Sequence, residues 1–212
     1  MVNKSRFIGS NAHSRASLKV TPKILRRLFS YHQVMPNYLD FLGVFGKQER
    51  PRHIRFSSFR EQDLISRNPP ASLDLPRFGR NGCQYQLCFN LKSVALFKGE
   101  WTVRQAATHH QFDFKNGNTL WIFAQGHWDL KDQINAMTDM WCPGDHGLQF
   151  NTTADCFRST FTIHQLFFEW SNTNWGEYLA SIEDAVETLV SFEVFANMRV
   201  FTDRWIESRS DI

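Results

Sequence analysis

The stretch that most limits what this chain can become is residues 79–126, GRNGCQYQLCFNLKSVALFKGEWTVRQAATHHQFDFKNGNTLWIFAQG. Within it, Tyr85, Leu87, Phe89 and Leu91 alternate with Gln84, Gln86, Cys88 and Asn90. That period of two is the mark of a strand with one buried and one solvated face. Two more apolar, aromatic-rich runs follow, 101–114 and 119–124, with Asn116-Gly117 between them. Both turn residues tolerate φ > 0, so the pair predicts a hairpin. An antiparallel sheet is therefore expected at the centre of the fold.

A chain of 212 residues, 42% hydrophobic and 21% charged, can bury a sizeable core as one domain, or as one domain with an appendage. Its net charge of +3 hides an uneven distribution. Residues 1–60 hold twelve Lys/Arg against Asp40 and Glu49, a net of +10, which leaves −7 for residues 61–212. A basic first segment can meet anions, including nucleic acid, through Lys19, Lys23, Arg26, Arg27, Arg50, Arg52, Arg55 and Arg60. No interleaving of aromatic and basic residues accompanies it, so nucleic acid is the weaker reading and a solvated basic segment the stronger. Residues 1–20 lack an apolar signal core and read as a disordered basic tail. No run approaches the ~20 apolar residues that span a bilayer.

Thr21-Pro22 forms a helix start, Thr as N-cap and Pro at N1, with Ile24, Leu25, Leu28 and Phe29 as the apolar stripe. Pro36, Gly43 and Gly46 then reduce the next segment to a short helix or turn around Tyr38, Leu39, Phe41 and Leu42. Residues 51–60 suit an edge strand and residues 66–76 a surface loop. Residues 128–140 read as a helix and 141–147 as a turn. A second helix capped by Asn151 or Thr153 should run to Trp170, with Ala154, Phe157, Phe161, Gln165 and Phe168 inward. Capped by Asn172 or Asn174, a third should run from Trp175 to about Ile206. There Trp175, Leu179, Ile182, Val186 and Leu189 step by four and three, a spacing that calls for a partner helix. The order of elements gives an α+β or α/β layered domain ending in a protruding helix.

No constellation for catalysis stands out. His109 and His110 point to opposite faces of a strand and cannot jointly chelate one metal. His109 with Asp113, or Cys142 with His146, are the pairs a small hydrolase would use, but a surface polar pair and a turn explain them more simply. The four cysteines, Cys83, Cys88, Cys142 and Cys156, form no C-x-x-C pair and read as free, mostly buried thiols. Glu183, Asp184 and Glu187 on the last helix are the metal candidates, for loose, water-mediated Mg²⁺; a solvated helix face is the alternative. A non-enzymatic protein is expected.

The blocks SYHQVMPNYLDFLGVFGKQ, FSSFR, GRNGCQYQLCFNLKSV, WTVRQAATHHQFDFKNGNTLWIFAQG and LKDQI, in this order, resemble the N-terminal cytosolic domain of filamentous-fungal CorA-like transporter-domain proteins. The resemblance covers roughly residues 30–175. It implies a mixed sheet between helices that continues into a stalk helix: a tail over 1–20, a CorA-like domain over 21–172 and the start of the stalk over 173–212. It further implies a regulatory or interaction role in divalent-cation (Mg²⁺) transport, at the cytosolic face of a membrane or free in the cytoplasm. The partner would be a second copy or a membrane-spanning relative, met through the stalk. The Gly-Met-Asn pore signature of CorA channels does not occur in these residues, and no span follows the stalk before Ile212. Transport would thus require a further piece, as from a truncated product or fragment of a longer transporter.

Overall fold

The computed structural model describes residues 5–11, 18–46, 56–64, 74–75, 80–125, 132 and 151–210. Seven strands and four helices organise them: β1 (Ser5–Asn11), α1 (Pro22–His32), α2 (Tyr38–Leu42), β2 (Phe59–Asp63), β3 (Asp74–Leu75), β4 (Arg80–Asn81), β5 (Gln84–Phe97), β6 (Glu100–Asp113), β7 (Thr119–Gln125), α3 (Thr153–Asn172) and α4 (Trp175–Ser210). Five strands form one sheet in the order β1-β7-β6-β5-β2, and β3 pairs with β4 separately. The large sheet is mixed: β1 runs parallel to β7 and every other neighbour is antiparallel. A strand therefore stands where a disordered tail is expected over 1–20, because Ser5–Asn11 supply β7 with a second hydrogen-bonding neighbour. The edge strand expected over 51–60 lies at Phe59–Asp63 instead, at the other end of the sheet. The helix expected over 128–140, the turn over 141–147 and the loop over 66–76 lie, apart from residues 74, 75 and 132, outside the described residues.

Two turns set the register. The tight one joins β5 to β6: Lys98 and Gly99, at φ 53° and 81°, close a two-residue loop between the paired Phe97 and Glu100. Positive φ at both positions matches the twist of a hairpin. At the Asn116-Gly117 site the loop is longer, and of that pair only Gly117 has positive φ, at 64°. Asp113 organises it. Its carboxylate accepts from Lys115 N at 2.9 Å, Asn116 N at 3.0 Å and Asn116 Nδ2 at 2.9 Å, and from Asn81 Nδ2 of β4 at 2.9 Å.

Helices cover both faces of this sheet, so the half-solvated strand expected at Gln84–Leu91 is not what forms. On one face, Val34, Met35, Tyr38, Phe41 and Phe45 of the α1–α2 layer bury themselves on Cys88, Ala107, Leu120, Ile122 and Ala124. On the other, Ile163, Phe167 and Trp170 of α3 pack on Ala106, Trp121 and Phe123. The alternation does sort residues to faces correctly. Its polar face is nevertheless buried, with Gln84, Gln86 and Asn90 between 2% and 5% exposed.

Those amides serve the irregular backbone laid over them. Gln86 accepts from Met35 N at 2.8 Å and donates to Gln33 O at 3.0 Å. Asn90 accepts from Ser58 N at 2.9 Å and donates to Phe56 O at 2.8 Å. Gln105 Nε2 donates to Val44 O at 3.1 Å. Segments between helices cannot satisfy their own N–H and C=O groups, and buried ones need partners.

The helix ends follow their local chemistry. Thr21 caps α1 through Ile24 N, with Pro22 at the first position. At α3 the cap is Thr152, between the two candidates, because it alone completes a reciprocal box with Asp155. The inward face of α3 differs from the expected stripe. Cys156, Ser159, Thr160, Ile163, Phe167 and Trp170 are buried, while Phe161 and Phe168 are 59% and 56% exposed. Substituting Gln86 by Leu should lower the unfolding free energy by about 3–5 kcal/mol, since it strands several buried polar groups at once. Urea denaturation reads this directly, and a loss under about 1 kcal/mol would mean that the amide is not a fastening.

Candidate functional site

His109 and His110 occupy successive positions of β6 and do point to opposite faces, but neither is on the surface: both are fully buried. His109 lies under Tyr38, their ring centroids 5.4 Å apart, and its Nε2 is 2.9 Å from Gln86 Oε1. An amide oxygen only accepts, so His109 carries its proton on Nε2. Its Nδ1 is buried without a partner, and burial drives its pKa down to about 3. Asp113, the proposed catalytic mate, has its carboxylate committed to the β6–β7 loop. The structure does not join the two as an acid–base pair.

The other face holds a constellation that spacing alone does not reveal. His164 of α3 approaches His110, Nε2 to Nδ1, at 3.0 Å, although 54 residues separate them. His110 Nε2 is 3.0 Å from Thr119 Oγ1, whose hydroxyl donates onward to Gln111 O at 3.3 Å. His110 must then donate through Nε2 and accept at Nδ1, and His164 donates to it through Nε2. Tyr85 Oη is a second neighbour of that Nδ1, at 3.3 Å. Trp121 stacks on the His110 ring at 3.8 Å and an 11° tilt, and Phe89 flanks His164. A neutral chain of hydrogen bonds in an aromatic shell results. Burial is the main cause that holds His110 far below the usual imidazole range, with His164 second; burial also lowers His164 to about 4. The same burial raises the Tyr85 hydroxyl to about 12. These groups fasten α3 to the sheet. Two uncharged imidazoles and a protonated phenol in an apolar shell give no anionic donor to a divalent cation.

The remaining nominated residues are scattered. Cys88 and Cys156 are buried thiols outside any disulfide and Cys83 is partly exposed. Burial drives Cys88 up to about 12, so it is no thiolate. Cys142, His146, Arg50, Arg52 and Arg55 lie outside the described residues. Lys19, Lys23, Arg26, Arg27 and Arg60 are exposed, three of them on one side of α1. Glu183, Asp184 and Glu187 are exposed on α4. Their spacing lets neighbouring pairs share a hydrated ion. Among the described residues, no group of three or more His, Cys, Asp or Glu side chains could hold a metal ion.

Among the described residues, contacts of the sheet with α4 gather at its root. Asn174, at φ 64°, turns the chain out of α3, and its Nδ2 donates to Val94 O at 3.3 Å. Tyr178 packs on Trp101 of β6 at 5.7 Å. Beyond it, Leu179, Ile182, Val186 and Leu189 are 53%, 40%, 51% and 66% exposed. At 1.5 Å per residue the 36-residue helix is about 54 Å long.

A family model of CorA-like transporters matches residues 3–192. The chain belongs to that CorA-like family. Neither the curated proteins nor the solved structures contain a match. The match takes in β1 at one end and the first half of α4 at the other, so Leu179, Ile182, Val186 and Leu189 fall within the CorA-like region. Among the described residues, no helix of this CorA-like chain is long and apolar enough to cross a membrane.

The buried histidines make stability depend on acid. Their folded pKa values lie below the unfolded value of about 6.5, so in mild acid the unfolded chain binds protons that the folded chain refuses. Stability should be complete above about pH 6.5 and fall as pH drops toward about 4, by about 3 kcal/mol from His164 alone. Urea midpoints across that range should drop for the native chain and less for His164→Gln; equal slopes would contradict the neutral pair.

Proposed function

We propose that this chain is a non-enzymatic regulatory or interaction module of divalent-cation (Mg²⁺) transport, equivalent to the N-terminal cytosolic domain of filamentous-fungal CorA-like proteins. It would work in the cytoplasm at the inner face of a membrane, with α4 as the start of a stalk. The observation that carries this reading is the exposed row Leu179, Ile182, Val186, Leu189, spaced as a helix–helix seam and left in water. Burying such a side chain stabilises by roughly 1.5–3 kcal/mol, so even a short seam outweighs much of the entropy lost on association.

The partner is a second copy or a membrane-spanning relative. Glu183, Asp184 and Glu187 lie beside the seam, and packing like helices together brings these carboxylates close. Their repulsion opposes assembly, and a hydrated Mg²⁺ shared between chains relieves it. Loss of the cation then shifts the equilibrium toward separated stalks, the kind of coupling between binding and conformation that a transport regulator needs.

Sedimentation equilibrium of the purified chain with and without Mg²⁺ tests this. Self-association should strengthen with Mg²⁺, the Glu183→Gln/Glu187→Gln variant should lose that dependence, and Ile182→Lys/Leu189→Lys should be monomeric with unchanged helix content. A chain that stays monomeric under all conditions, and is not captured by a membrane-spanning relative, overturns the proposal.

A further inference from the structure

The outer side of α1 carries charge that the fold does not use. Leu25, Leu28 and Phe29 pack against the core beneath the α1–α2 layer, while Lys23, Ile24, Arg26, Arg27, Ser30 and Tyr31 stay exposed. At 3.6 residues per turn, Arg26, Lys23 and Arg27 share one arc of the helix, and Tyr31 and Ile24 continue it. Ile24 is 56% exposed and Tyr31 49%. Lys19, also exposed, stands two residues before the Thr21 cap.

No acid offsets this face. The chain has no Asp or Glu before Asp40, and among the described residues no carboxylate pairs with Lys23, Arg26 or Arg27. Elsewhere the charge is balanced or reversed. β2 carries Glu61 and Asp63 with Arg60, and α4 holds seven acidic residues against three arginines. α1 lies on one face of the sheet and α3, from which α4 departs, on the other, so the charge is separated in space as well. Such a field turns the α1 side toward a negative surface.

We propose that α1 docks on an anionic membrane surface. Lys19, Lys23, Arg26 and Arg27 meet the lipid headgroups, and Ile24 and Tyr31 reach the acyl boundary beneath them. Cations and apolar side chains on one exposed arc suit a surface that is charged above and apolar below. Nucleic acid presents a phosphate backbone with no apolar layer under it, so it leaves Ile24 without a role. Because α1 is already folded and packed on the sheet, docking does not have to order it. The inference deepens the reading of a module at the inner face of a membrane and rests on it for the side of the bilayer; assembly through α4 is a separate contact.

The test is co-sedimentation of the full chain with phosphatidylcholine vesicles, with and without about 30% phosphatidylserine. The chain should pellet with the anionic vesicles alone, and less as salt rises. Each basic residue at the surface contributes roughly fivefold, so Lys23→Gln/Arg26→Gln/Arg27→Gln should bind about 100-fold more weakly. Ile24→Ser keeps every charge and should bind about fivefold more weakly. All four side chains are exposed, so both variants should keep the native circular dichroism. No pelleting with anionic vesicles at low salt, unchanged binding by either variant, or tighter binding to duplex DNA than to the vesicles would each overturn the proposal. A chain that pellets yet never self-associates supports docking and counts only against assembly through α4.

Discussion

The structure depends on amide side chains that close the hydrogen-bonding needs of backbone lying outside helices and strands. Residues 33–46 and 56–58 cover one face of the sheet with little regular structure of their own. Buried in that state, their peptide groups would each lose roughly 1–3 kcal/mol without partners. Gln86, Asn90 and Gln105 supply them from β5 and β6, and the Tyr38 hydroxyl reaches back to Ala107 O and Ile122 O at 3.0 and 3.1 Å. The layer and the sheet therefore order each other. Neither α1, whose stripe is only half-buried, nor the five-residue α2 has enough length to dock by itself.

The opposite face reaches the same end with aromatic rings and neutral imidazoles. Trp121, Phe89 and Phe167 surround His110 and His164, and a single proton orientation satisfies the run from His164 to Gln111. This fixes the rotation of α3, and through Asn174 the direction in which α4 leaves the sheet. The direction of α4 is thus set by polar contacts in the core of a CorA-like domain.

Much of this was legible in the sequence, and the misses share a cause. Thr21-Pro22 announced α1, and the alternation at residues 84–91 sorted side chains to their faces, because both are local signals. What alternation cannot tell is whether a polar face meets water or an irregular segment 50 residues away; Gln86 and Asn90 were misjudged on that ground. The α3 stripe failed likewise. Phe157, Phe161 and Phe168 made the more apolar face, while the sheet selected the face carrying Ser159, Thr160 and His164, whose polar atoms have partners. The His110–His164 contact joins two elements distant in sequence, and nothing in the spacing of either residue signals it. The Lys98-Gly99 turn was readable in principle. It was eclipsed by the stronger Asn-Gly signal, which turned out to mark a longer loop shaped by Asp113.

On α4 the apolar row and the carboxylates marked in the sequence are exposed, whereas His109, expected in a surface polar pair, is buried with His110. Both bond to neighbouring elements, His109 to Gln86 and His110 to Thr119 and His164. The claim on which everything else rests is that polar side chains of the sheet lock the α1–α2 layer in place. Native-state amide hydrogen exchange at Met35 measures it most directly, since this residue lies outside every helix and strand. The account predicts that Met35 exchanges as slowly as the paired amides of β5 and β6, through global unfolding. Exchange at the rate of an open loop would contradict it.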